Sequence, residues 1–175
     1  MKKIIGVLTF FAAVVLVFSS ISYNADAKNA NFMRTIAKKQ QVEYDYTMKS
    51  LHFPHYNKKN NQTNWEIWLN GFGALTEKQT SKGYYDTDAT NYVNAPALKL
   101  PVKKNSTWKV GKEQRKIVAT KTTVKTKYKV FKNAVKVQIG KSSAKHYQYF
   151  APKYGEVKET KKGKVVEELV KIVKY

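Results

Sequence analysis

The sequence predicts a mainly β protein: a single domain built on a curved antiparallel sheet or half-barrel meander, with room for one short N-terminal helix. Three observations carry this. Apolar and polar residues alternate with period two in several segments after Trp108. Short turn signals, not long helical stretches, separate those segments. The composition supports a core: 42% of the 175 residues are hydrophobic, with 12 Tyr, 8 Phe and 3 Trp. That is too apolar and too aromatic for a disordered polycation.

The chain opens on a segment that reads as separate from the fold. Lys2 and Lys3 precede an apolar run from Ile4 to Phe18, and Ala25-Asp26-Ala27 follows. This layout predicts a secretory signal over residues 1–27, cleaved after Ala27. An uncleaved anchor is the alternative, because the apolar stretch is near the lower limit for spanning a bilayer. The expected mature chain, residues 28–175, is one secreted β-rich domain, and its best-defined meander covers 98–175. The chain has no cysteine. That excludes a disulfide framework, thiol catalysis, a cysteine zinc site and lipid attachment to cysteine. A cysteine-free, lysine-rich export product fits a Gram-positive surface.

Asn29 to Lys49 has mixed polarity and leaves room for a short helix near Phe32–Gln41. Val42 to Met48 alternates and reads as a strand. His52 to Thr63 contains Pro54 and the polar run Asn57–Gln62, the signature of a loop. Trp65 to Leu69 is a short aromatic segment ending at an Asn70-Gly71 turn signal. Tyr84, Tyr85 and Tyr92 lie among Asp, Thr and Asn, in short strands and turns, with Asp86 and Asp88 in a turn. Pro96 to Pro101 reads as an extended link.

After Trp108 the pattern sharpens. Val118, Thr120, Thr122, Val124 and Thr126 share one predicted face, and Lys121, Thr123 and Lys125 the other. Val135, Val137 and Ile139 face away from Lys136 and Gln138. Tyr147-Gln148-Tyr149 begins a third strand and Gly155 to Lys158 a fourth. Lys161-Lys162-Gly163-Lys164 is a turn, and Val165 to Tyr175 is the last strand. Glu167, Glu168, Leu169 and Lys171 also suit a helix, but the β-branched residues around them favour a strand. Trp108, Phe131, Val135, Val137 and Tyr149 are the expected core.

Three motifs in this half occur in order. Leu100-Pro101-Val102 leads to Trp108. Val124-Lys125-Thr126 leads through Phe131-Lys132-Asn133-Ala134-Val135. Tyr149-Phe150-Ala151-Pro152-Lys153-Tyr154-Gly155-Glu156-Val157-Lys158 follows. Together they resemble the C-terminal domain of a group of exported, mostly uncharacterised Firmicutes proteins, "fPlkvGxxW … TVxTpaGtFkNvvxv … YyFApgvGlVK". The resemblance covers about Leu98 to Tyr175. It implies a curved antiparallel sheet similar to the half-barrels of lipoprotein carriers (LolA-like), and it brings no enzyme activity. The chain departs from the pattern at Lys127-Tyr128-Lys129, where a small turn is usual, and at Asn105, Tyr154 and Glu156. Independently of the resemblance, Pro152 lacks the N–H that would continue a ladder, and Gly155 permits a positive φ. The segment is therefore read as a corner in the sheet that restarts at Val157.

Chemistry-bearing constellations are sparse. His52 and His55 flank Pro54, and a metal would need further ligands, so no metal site is expected. Carboxylate pairs suited to acid–base work occur at Glu43/Asp45, Asp86/Asp88 and Glu167/Glu168. No nucleophile elbow, phosphate loop or HExxH helix is present. No catalytic residue and no cofactor is expected. Charge is the distinctive feature. Lys28 to Leu98 carries 9 basic and 6 acidic residues, whereas Lys99 to Tyr175 carries 22 and 5. Lys121, Lys125, Lys127, Lys129, Lys132 and Lys136 fall in one predicted hairpin and form the candidate polyanion-binding face. Only Arg34 and Arg115 are arginine, which argues against specific nucleic-acid recognition.

The sequence thus points to a secreted, non-catalytic envelope protein that binds anionic wall polymer or lipid headgroups. It would have an optional apolar ligand on the concave sheet face. A nucleic-acid or general polyanion binder and a small extracellular hydrolase are the alternatives. No protein partner is indicated.

Overall fold

A computed structural model of the chain describes residues 29–34, 42–68, 72–88 and 95–175. The expected signal segment, most of the expected helix, the Asn70-Gly71 turn and Tyr92 lie outside the described residues. Phe32 to Arg34, the part of that helix which is described, is not helical.

Among the described residues, twelve strands form the fold. The first six are β1 (Val42–Tyr46), β2 (Ser50–Asn57), β3 (Gln62–Trp68), β4 (Phe72–Gln79), β5 (Gly83–Asp88) and β6 (Leu98–Lys99). The second six are β7 (Thr107–Val110), β8 (Glu113–Lys125), β9 (Val130–Ile139), β10 (His146–Ala151), β11 (Gly155–Lys161) and β12 (Lys164–Lys174). Consecutive strands in each set pair antiparallel. The sets join where β1 pairs with β12, Tyr44 opposite Ile172. The result is one antiparallel sheet, β6-β5-β4-β3-β2-β1-β12-β11-β10-β9-β8-β7, nearly closed into a barrel. The expected mainly β meander is present, and the curvature goes beyond a half-barrel.

The seam falls between β6 and β7, the two sheet edges. Both edges are short, which limits the exposed backbone available to another chain. Side chains bridge the seam. Trp108 Nε1 donates to the Pro96 carbonyl at 2.8 Å. Arg115 Nη1 donates to the Ala97 carbonyl at 3.3 Å, and Lys99 Nζ to the Thr107 carbonyl at 3.2 Å.

A barrel of eight strands is just filled by its own side chains, so twelve leave surplus volume. Here the chain ahead of β1 occupies part of it. The Phe32 N–H donates to Gln79 Oε1 and the Lys153 N–H to the Asn31 carbonyl. Phe32 and Met33 are buried with Tyr84, Leu98, Ile117, Val135, Val137 and Phe150. A second cluster gathers Tyr44, Leu51, Trp65, Val124, Phe131 and Leu169 from both strand sets. The Tyr44 and Trp65 rings meet edge-on at 5.3 Å, a geometry that suits their quadrupoles.

Most C-terminal expectations hold. Val135, Val137 and Ile139 are buried in β9, and Phe131 is 4% exposed. Trp108 and Tyr149 are partly buried and pack against the two clusters. The Lys162–Gly163 turn has both residues at positive φ, the backbone that a tight two-residue hairpin requires.

Four readings need correction. Ile117 and Val124 are both buried although they have opposite parity, so Val118 is not on the Val124 face. Pairing irregularities between Ile117 and Val124 supply the phase change. His52 to Asn57 is strand, not loop. The register shifts between His52 and His55, so Pro54 sits where no ladder bond is demanded of it. Asp86 lies in β5, not in a turn. The Pro152 segment is a hairpin turn, closed by the Tyr154 N–H on the Ala151 carbonyl, with β11 starting at Gly155 itself.

Candidate functional site

Arg34 enters the barrel on the segment before β1 and is 3% exposed. An isolated buried guanidinium would be strongly disfavoured. Its partners come from β1, β4 and β5. Nε donates to Tyr46 Oη at 2.9 Å, Nη1 to Glu77 Oε1 at 3.2 Å and to Tyr84 Oη at 3.1 Å, and Nη2 to Asp86 Oδ2 at 3.0 Å. Its backbone N–H also donates to Glu77 Oε1, and Trp65 Nε1 donates to Glu77 Oε2. The Tyr84 hydroxyl lies 3.0 Å from both Glu77 and Asp86 and gives its single proton to one of them.

These partners set the protonation states. Burial opposes the Arg34 charge, but the field of Tyr46, Tyr84, Asp86 and Glu77 outweighs it and raises the pKa well above the ordinary value. For Asp86 burial pushes up, yet Arg34 and Lys49 win and hold the carboxyl below its usual range. Burial dominates at Glu77 and raises it, with Arg34 pulling back. Burial likewise lifts the Tyr46 hydroxyl to about 12, against the pull of Arg34.

Gly155 explains part of the Tyr149–Lys158 motif. Its φ is +64°, and a Cβ there would lie 2.5 Å from Tyr84 Oη and 3.2 Å from Arg34 Cζ. Only a residue without a side chain lets the wall approach the Arg34 network so closely. Tyr46 Oη donates to the neighbouring Glu156 carbonyl. The motif therefore grips the plug segment from the C-terminal half.

A cavity of about 330 Å³ lies beside this network, toward the barrel end that carries the β1–β2, β7–β8, β9–β10 and β11–β12 turns. Its wall includes Ile67 and Leu75, but charge dominates: Asp86, Glu156, Glu159 and Glu167 face Lys49 and Arg115. The Lys49 ammonium pairs with Glu167 at 3.1 Å. His146 Nε2 lies 2.8 Å from Glu159 Oε1. Gln148 accepts from Arg115 Nη1 and donates to Glu156 and Glu159, each at 3.1 Å. Burial, then the charges of Glu159 and Glu167, pushes the Glu156 carboxyl well up. Burial lowers Arg115. Among the described residues no group of His, Asp and Glu has a metal-holding arrangement.

The predicted lysine face divides. Lys121, Lys125, Lys127 and Lys132 are exposed on β8, β9 and the tip between them. Lys129 is held against rings: its Nζ lies 4.1 Å from the Tyr154 centroid, 5.0 Å from Phe131 and 5.4 Å from Tyr128, and donates to Tyr154 Oη. Lys136 sits 3.9 Å over Tyr147. A second basic cluster lies at the opposite end of the strands, on turns of which the sequence disclosed Lys161–Lys164 as a turn but not as a binding site. There Lys112, Lys141, Lys145, Lys161, Lys162 and Lys164 are all exposed. The Lys162 N–H donates to the Lys145 carbonyl, tying two of these turns together. This lysine rim encircles part of the barrel end nearest the charged cavity.

Of the carboxylate pairs, Glu43 and Asp45 lie on the outer side of β1 and bond Tyr175 and Ser50. Glu167 lines the cavity, while Glu168 pairs with Lys158 at 3.5 Å. Compared with protein-family models, curated proteins and solved structures, the chain matches none.

Proposed function

We propose that the protein is exported and non-catalytic, and that its basic surface holds it to anionic cell-wall polymer or lipid headgroups at a Gram-positive envelope. The single observation that supports this reading most is the distribution of exposed lysine. Six lysines gather at three of the turns of one barrel end, and a further set follows the β8–β9 hairpin. Strand side chains at i and i+2 are about 7 Å apart, which suits a repeating phosphate chain without demanding one sequence. Each exposed lysine contributes on the order of 1 kcal/mol at an anionic surface, and several sum to adhesion that salt weakens. The near absence of arginine fits diffuse attraction better than base or bidentate phosphate recognition.

The test is elution from purified cell wall over a salt series. Two four-fold Lys→Gln variants are compared with the parent, one at Lys121, Lys125, Lys127 and Lys129, the other at Lys141, Lys145, Lys161 and Lys162. Both are expected to elute at lower salt, the second lower still, because its lysines are free of aromatic contacts among the described residues. Elution of all three proteins at the same salt overturns the proposal. Equal retention on DNA and wall material reduces it to unselective electrostatics.

A further inference from the structure

We propose that the barrel cavity binds a small zwitterion, with an ammonium and a carboxylate spaced as in an amino acid or dipeptide. The inference goes beyond wall adhesion and uses a different part of the molecule.

The volume, about 330 Å³, is at the lower end for small-molecule pockets. Four of its six charged lining groups have opposite partners: Asp86 with Arg34, Glu167 and Lys49 with each other, and Glu159 with His146 when that ring is protonated. Arg115 and Glu156 make no ion pair among the described residues. Among those residues Arg115 Nη1 is held only by neutral oxygens, of Ala97 and Gln148, and its buried Nε has no hydrogen-bond partner. The Glu156 carboxylate receives a single side-chain donor, Gln148 Nε2. A desolvated guanidinium and a buried acid, each without an ionic partner, therefore share one cavity, a costly arrangement that a ligand carrying both charges can relieve.

Gln148 shows the polarity and spacing such a ligand needs. Its amide oxygen accepts from Arg115, and its amide nitrogen donates to both Glu156 and Glu159. One carboxamide thus spans the two poles, acceptor toward the arginine and donor toward the acids. Being neutral, it orders both poles and cancels neither. A ligand ammonium beside Glu156 and Glu159, with its carboxylate on Arg115, repeats that polarity with full charges. Guanidinium and carboxylate match in planar geometry. Ile67 and Leu75 give an aliphatic body somewhere to pack. A lone amine is less suitable, because a chain of net charge +21 with lysines around this end repels it.

The test is calorimetric titration of the full secreted chain with 4-aminobutyrate, butylamine, butyrate and alanylalanine. The zwitterions are expected to bind at least ten-fold more tightly than either singly charged probe. Glu156→Gln should reduce 4-aminobutyrate to the level of butyrate, and Arg115→Gln to the level of butylamine. Glu156→Gln keeps the side-chain shape, so it reports even where Arg115→Gln does not fold, and its salt elution from cell wall should match the parent. Equal binding of butylamine and 4-aminobutyrate overturns the inference. So does no binding of any probe at millimolar concentration, or a Glu156→Gln protein that keeps the zwitterion preference.

Discussion

The two six-stranded halves share a topology and differ in where they put their charge. In β7–β12 charge is mainly outside, as lysine on strands and turns. In β1–β6 the decisive charges are inside: Glu77 and Asp86 face the barrel interior and meet Arg34 from the preceding segment. The C-terminal half has a wet face and a mainly apolar face that turns charged at the cavity, with Arg115, Glu156, Glu159 and Glu167, while the N-terminal half presents aromatic and ionised groups inward together. One outcome is that the N-terminal half depends on the other for its environment. Gly155 and the Glu156 carbonyl, both on β11, close over the Arg34 network.

The largest expected effects test that difference directly. Arg34→Ala removes the cation from two buried carboxylates and should cost about 3–5 kcal/mol, the scale of breaking a buried ion pair by deleting one partner. Phe131→Ala, which empties an apolar site of the C-terminal half, should cost about 3–5 kcal/mol for a different reason, a cavity. The two losses are similar in urea titrations and separate with pH. Asp86 is held below its ordinary range, so its stabilisation is present above about pH 3.9 and is lost as pH falls through the depressed value. Arg34→Ala should abolish that acid limb, whereas Phe131→Ala should keep it. A shared pH profile, or a loss below about 0.5 kcal/mol for either variant, breaks the contrast.

The same difference governs what the sequence disclosed. Lys136 and Gln138 alternate with Val135, Val137 and Ile139, so β9 was legible by period alone. β4 was not, and β5 only as a short strand at Tyr84 and Tyr85, because Glu77 and Asp86 occupy inward positions where period reading expects apolar residues. Asp86 beside Asp88 reads as turn chemistry until Arg34, 52 residues earlier, is brought to it. The cavity was illegible for the same reason, since Arg115, Gln148 and Glu156 are distant in the chain and polar. Gly155 was legible as a positive-φ position but not as the seat of Tyr84 and Arg34. The lysine rim was visible only as scattered turn residues until the strands placed those turns at one end.

A smaller effect probes an acid that the C-terminal half places at the cavity. Burial, with Glu159 and Glu167 nearby, raises the Glu156 carboxyl well above its ordinary range. The unfolded chain releases this proton near pH 4.3 and the folded chain only at higher pH. The stabilisation from the retained proton is therefore complete below pH 4.3 and is lost as pH rises through the folded value. Glu156→Gln has no proton to release. Its melting temperature should equal the parent's at pH 4 and exceed it at pH 8. A variant less stable at pH 8 would show that Glu156 is ionised and compensated there, which would make the C-terminal interior as charged as the N-terminal one.

The smallest effect separates lysines that only face solvent from lysines that hold the wall. Lys127 and Lys129 are both exposed and stand two residues apart at the β8–β9 tip, but only Lys129 contacts three rings and the Tyr154 hydroxyl. A cation over aromatic faces at an exposed site contributes about 0.5–1 kcal/mol, whereas an ordinary surface substitution stays within about 0.5 kcal/mol. Lys129→Gln should therefore lower stability measurably and Lys127→Gln should not. The assignment is sharpened by repeating Lys129→Gln in a Tyr154→Ala background. Most of its cost should vanish there, because the nearest ring and the hydroxyl acceptor are gone. If instead Lys129→Gln costs no more than Lys127→Gln, the ring and hydroxyl contacts of Lys129 contribute nothing to the tip. In that case the side chain is as free for polymer as Lys127, and the hairpin and rim variants should differ less in salt elution.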